Sequence, residues 1–147
     1  MSDTATRSTP NDRGTSEDFR TSREGSGRGK LVRSHAKPRT GIEGLDVYRV
    51  AVEFYRLLRQ ATRGRRGHAV DQSYRAAESV VLNIAEAYLM TGLDRARRFR
   101  IAGGEAAECH AGLDLMEIRG ELRGAVLTEL RELLDRVRAM LWRLGRS

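Results

Sequence analysis

The last proline of this 147-residue chain is Pro38, and the 109 residues after it contain none. Proline lacks a backbone donor and clashes with the preceding turn, so its absence over such a length leaves helices uninterrupted. Within that stretch apolar residues recur at alternating spacings of three and four. Leu45, Tyr48, Val52, Tyr55 and Leu58 mark a first helix over about residues 45–61, and Val70, Tyr74, Ala77, Val81, Ile84 and Tyr88 a second. Phe99, Ala102, Ala106, Cys109, Leu113 and Met116 mark a third; Val126, Leu130, Leu133, Val137, Met140 and Leu144 mark a fourth. A period near 3.5 favours long helices packed almost parallel. Glycine-containing breaks at 62–68, 91–92 and 119–124 separate the four. Residues 41–147 therefore read as an all-α, antiparallel up-down-up-down four-helix bundle.

Residues 1–40 have a different character. They hold 12 Ser or Thr and 9 Lys or Arg, against Phe19, Leu31 and Val32 as the only strong apolar residues. Such a segment cannot bury enough surface to offset its ordering entropy, and a disordered basic tail is expected. Its GSGRGKL run (25–31) looks like a phosphate loop, but Glu24 and Leu31 stand where the Walker motif needs glycine and a magnesium-holding hydroxyl.

Composition removes several classes. The lone Cys109 excludes a disulfide framework and a cysteine-based zinc module. Val80-Val81-Leu82, the longest strongly apolar run, is far short of a membrane span. With no apolar leader at the N-terminus either, a cytoplasmic protein is expected. His68 and His110 are the only bundle histidines and neither completes a Glu-x-x-His pair, so no metal and no cofactor is expected. Cys109 lies on the apolar seam and reads as a small hydrophobe, without a base to activate it. No catalytic residue is indicated, and an enzyme is not expected.

Two features exceed what a lone bundle needs. Leu127, Leu134 and Leu141 form a second row on the fourth helix, and Val80, Leu82, Ala85 and Leu89 lie outside the main stripe of the second. Left exposed, these rows would mark a partner surface, most simply for a second copy of the chain; the alternative is a wide core stripe with no interface. The third helix carries Gly103, Gly104 and Gly112 in its interior, each costing about 1 kcal/mol against alanine. The small-residue row Gly103, Ala107 and Ala111 points to a close backbone approach, and the Gly-Gly pair to a kink as its alternative.

The net charge of +7 divides unevenly, +4 in residues 1–40 and +3 in the bundle, where every cation is an arginine. Arg63, Arg65 and Arg66 occupy the first break, and Arg119 and Arg123 border the third, which up-down topology brings to the same end. Arg95, Arg97, Arg98 and Arg100 begin the third helix at the other end, where cations oppose the helix dipole unless an anion compensates. Arg63, Arg65, Arg66, Arg95, Arg97, Arg98, Arg119 and Arg123 are the candidate contacts to RNA or DNA. With no stacking aromatic evident among them, backbone contact rather than base readout is expected. In a hairpin turning near Gly92, facing positions sum to about 184. Glu86 then lies opposite Arg97, Arg98 and Arg100, and Arg75 opposite Glu105 and Glu108, with Asn83 alongside. These are expected to fix register and assembly, as interhelical or intersubunit pairs.

The segments SYRAAESVVLNIAEAY (73–88) and FRIAGGEAAEC (99–109) resemble the bacterial "four helix bundle protein" family. That family includes proteins encoded in 23S rRNA intervening sequences and the accessory variability determinant of diversity-generating retroelements. Its second-helix pattern is matched by Arg75, Ala76, Ser79, Asn83, Ile84, Ala85 and Glu86, and its third-helix pattern by Arg100, Ile101, Ala102, Gly104, Ala107 and Glu108. Val81-Leu82, Ala87 and Gly103 stand where the pattern usually has proline, glycine and arginine. The resemblance implies a non-enzymatic bundle assembling as a ring of five. Its retroelement members bind nucleic acid and a reverse transcriptase, and these are the partners it implies. Together, residues and resemblance lead to a homo-oligomeric accessory protein that binds nucleic acid; the alternative is a protein-interaction scaffold.

Overall fold

A computed structural model describes residues 41–146. The predicted tail, with its phosphate-loop-like run, lies outside the described residues. A short 3-10 turn (Ile42–Gly44) leads into α1 (Asp46–Ala61), α2 (His68–Tyr88), α3 (Gly92–Ile118) and α4 (Ala125–Leu144). Each helix packs on its sequence neighbours and α4 closes on α1, with α2 and α3 in the most extensive contact. This is the up-down-up-down bundle that the spacing predicts.

The breaks end helices for local reasons. At the end of α3, Gly120 adopts φ +69, a left-handed conformation that favours glycine. Its N–H donates to Glu117 O at 2.8 Å and the next N–H, of Glu121, to Met116 O at 2.8 Å. That pair of bonds is a Schellman motif, which satisfies carbonyls the helix end would otherwise orphan. Leu122 follows directly and is buried, pinning the connection to the core.

The core runs the length of the bundle through Phe54, Leu58, Ile84, Phe99, Leu113, Met116 and Leu130. The second row of α4 belongs to it: Leu127, Leu134 and Leu141 are buried rather than free for a partner. A helix touching two neighbours needs an apolar stripe wider than one seam, and α4 sits between α1 and α3. Val80 is buried for the same reason and Ala85 half-buried, which leaves Leu82 and Leu89 as the exposed part of the α2 surplus.

The interior glycines of α3 divide likewise. The helix runs unbroken through the Gly-Gly pair. A Cβ added at Gly103 or Gly104 would meet nothing within 4 Å, and Ala107 and Ala111 are exposed. The close approach is at Gly112 instead, where an added Cβ would stand 2.0 Å from Ser73 Oγ and 3.3 Å from Ser73 Cβ.

Candidate nucleic-acid interface

The connection after α1 carries Arg63, Arg65 and Arg66, all exposed and without a carboxylate partner among the described residues. The α3–α4 connection lies beside it: a Cβ at Gly67 would come within 3.8 Å of Arg119 Nη2. Arg119 itself pairs with Glu121 at 2.9 Å, and Arg123 donates to Gly120 O at 3.4 Å. All five arginines therefore gather at one end of the bundle; only Arg119 meets a carboxylate, Arg123 has a backbone carbonyl, and Arg63, Arg65 and Arg66 have neither among the described residues.

The arginines at the other end are held differently. Arg98 pairs with Glu86 at 2.9 Å and donates to Asn83 Oδ1 at 3.3 Å, while Asn83 Nδ2 donates back to Ser79 O at 2.9 Å. The Arg95 guanidinium lies 5.5 Å over the Phe99 ring and is half-buried. Arg100 does not face Glu86. It lies two residues, about 200° of helix rotation, from Arg98, and there Nη1 donates to Gly145 O at 3.0 Å, capping the end of α4. Arg97 stays exposed on a groove shared with Leu89, Asp94, Arg98 and Ile101. Arg75 is exposed and forms no ion pair with Glu105 or Glu108 within the chain. Glu108 and Gly104 are likewise exposed on α3. A separate clasp joins α3 to α4, where Arg131 Nη2 reaches Asp114 and Glu117 at 2.7 Å each.

Four residues beside the loop arginines escape a reading by spacing alone. Tyr55, Arg56, Arg59 and Tyr74 line a groove of about 750 Å³ together with Arg63, Arg65 and Arg66. Arg59 lies 4.5 Å over the Tyr74 ring. Thr62 is fully buried and donates to Leu58 O at 2.6 Å, so the Tyr74 hydroxyl donates to Thr62 Oγ1. The expectation of an arginine cluster without aromatics is thus corrected: two tyrosines from different helices meet it. Facing positions gave no clear signal for this, since a hairpin centred near residue 65 pairs Tyr74 with about residue 56, one turn short of Arg59 and further from Thr62.

Cys109 is wholly buried. Burial, with Glu105 and Glu108 nearby, pushes its thiol up to about 12. The thiolate that nucleophilic chemistry requires is then scarce at neutral pH. Among the described residues no three His, Cys, Asp or Glu side chains gather as a metal site requires. No helix among them is long and apolar enough to cross a membrane.

Residues 45–143, well over half of the chain, match the 23S rRNA-intervening sequence protein family. The chain belongs to that family. The bundle is the part that carries the 23S rRNA-intervening sequence match, and residues 1–40 lie outside it. No curated protein matches the chain. A crystal structure of a protein of unknown function from the S23 ribosomal protein family of Bacteroides thetaiotaomicron is similar, with a TM-score of 0.60 at 19% identity. The likeness covers 69% of this chain and 99% of that one, and it is a likeness of fold. Neither match brings a catalytic activity with it.

Proposed function

We propose that this 23S rRNA-intervening sequence family member is a homo-oligomeric bundle that binds nucleic acid through the arginines of its α1–α2 connection. The observation that carries this reading is the uncompensated trio Arg63, Arg65 and Arg66. Arg49, Arg98, Arg119, Arg131 and Arg138 each meet a carboxylate. Among the described residues Arg56, Arg59, Arg75, Arg97 and Arg123 also lack one, but only the trio falls within four positions of a single exposed connection. Three like charges within four positions repel one another, and a phosphate backbone relieves that repulsion while releasing its own counterions. A labelled RNA strand should bind at low salt and weaken steeply as salt rises, which fluorescence anisotropy measures. Absence of binding at the lowest salt would rule the reading out. The reverse transcriptase rests on the family resemblance alone, and the reading does not need it.

Self-association has its own support. Leu82, Leu89, Leu93, Ile101, Leu115 and Ile118 are exposed on α2, α3 and the turn between them, with Leu89 83% and Leu93 84% accessible. Leu82 lies on α2 and Leu89, seven residues on, follows the helix end on the same side, where it shares a groove with Ile101. A second copy of the chain covers this face in the proposal, in the ring of five that the resemblance implies. Light scattering should then report roughly 83 kDa for five copies of a 16.5 kDa chain. Placing glutamate at both Leu82 and Leu89 should reduce it to the single-chain mass without loss of helix content. A wild-type chain at single-chain mass contradicts the proposal. The same face favours the scaffold reading, in which it recruits another protein and nucleic acid plays no part; a failed RNA titration with an intact oligomer would select it.

A further inference from the structure

The groove beside the loop arginines is built for more than phosphate. Its basic lining is opposed by a single carboxylate, Asp71. Its size falls within the range of about 300–1,000 Å³ typical of small-ligand sites. Behind the charges stands a flat, ordered surface. The Tyr74 hydroxyl is tied to Thr62, whose own proton is engaged by Leu58 O, so the ring is held from behind by a buried group. Arg59 lies over that ring at 4.5 Å, and Tyr55 sits one turn before Arg59 on the same side of α1. Arg59 is exposed, and its guanidinium is planar and delocalised, so its outer face offers a second stacking surface.

We infer that this groove takes an unpaired nucleotide of a single-stranded segment. The loop arginines would hold the flanking phosphates, and a base would extend the Tyr74–Arg59 stack by one layer. Resting on the nucleic-acid reading above, the inference narrows the ligand class. In a duplex the faces of the bases are already covered by their neighbours, so only unpaired nucleotides present phosphate and a free planar ring together. An acidic peptide would satisfy the arginines and leave the stack unused. Recognition of this kind tolerates any base, because every base has a π-face.

The test uses the full chain and four short probes of matched length: single-stranded RNA, single-stranded DNA, a duplex, and an abasic strand that keeps the phosphates and lacks the rings. Both base-bearing single strands should bind about tenfold more tightly than the duplex or the abasic strand, the order of effect that one stacked base provides. Whichever binds more tightly identifies the natural source. Arg59→Lys keeps the charge and removes the planar fork, so it should erase most of that tenfold preference. Tyr55→Leu, checked for unchanged helix content, should lower the same preference several-fold. Equal affinity for all four probes, unmoved by Arg59→Lys, would overturn the stacking inference and leave phosphate binding standing. Failure of every probe to bind at low salt would overturn the nucleic-acid reading itself.

Discussion

Replacing Gly112 by alanine should lower the melting temperature by roughly 5–10 °C, although alanine is the better helix former. The added Cβ would stand 2.0 Å from Ser73 Oγ and 3.7 Å from Ala69 O. Ser73 cannot give way freely, because it is buried and its hydroxyl donates to Ala69 O at 2.8 Å. Overpacking of this kind costs about 1–3 kcal/mol. The propensity gain of about 1 kcal/mol offsets part of it. So close an approach puts the cost in the upper half of that range, which leaves a net loss of about 1–2 kcal/mol, and each kcal/mol moves the midpoint by about 4–8 °C in a domain near this size. Ser73→Ala removes the oxygen in the way, so the Ser73→Ala/Gly112→Ala double variant should recover most of the loss. That coupling is what a double-mutant cycle reads. Gly103→Ala meets no atom within 4 Å and should raise the midpoint by a few degrees. A Gly112→Ala chain as stable as wild type would mean that α2 and α3 do not approach this closely.

Gly112 also illustrates what spacing can and cannot tell. The four helices were legible because their apolar period is strong and their breaks all contain glycine. Which glycine meets a neighbour was not, since Gly103, Gly104 and Gly112 are equivalent as letters and only the helix's rotation about its axis separates them. The apolar surplus divided on the same ground. Periodicity shows that α2 and α4 each carry extra rows, but the position of the bundle axis decides that Leu134 turns inward and Leu89 outward. Facing positions in the α2–α3 hairpin correctly bring Glu86 to Arg98, and they err at Arg100, whose rotation takes it to the end of α4.

The interface was legible in part. Arg63, Arg65 and Arg66 stand out in the sequence because three arginines in a short glycine-flanked break have no structural purpose there. Tyr55 and Tyr74 do not, because each lies on the apolar stripe and reads as core. Both are in fact half-buried, their inner surfaces packed on the core while they line the groove outside. Residues at such a boundary serve stability and binding together, and periodicity registers only the first. The second end of the bundle shows the converse error. Its arginines look available by count, yet Arg95, Arg98 and Arg100 are held by an aromatic ring, an acidic pair and a helix end.

If the α1–α2 connection holds nucleic acid, the triple variant Arg63→Gln/Arg65→Gln/Arg66→Gln should lose most of that binding. None of the three side chains pairs with a carboxylate or lies in the core, so fold and oligomeric mass should match wild type. Each phosphate contact on a single strand contributes about 0.7 to the slope of log affinity against log salt. Losing three should flatten that slope by about 2 and weaken binding on the order of a hundredfold at low salt. In an oligomer the loss is repeated in every copy, which deepens it through lost multivalency. The decisive measurement is the salt dependence of RNA affinity for wild type and triple variant side by side, by fluorescence anisotropy. A steep wild-type slope that flattens in the variant is the predicted result; two coincident curves, or a wild type that does not bind at low salt, would contradict it.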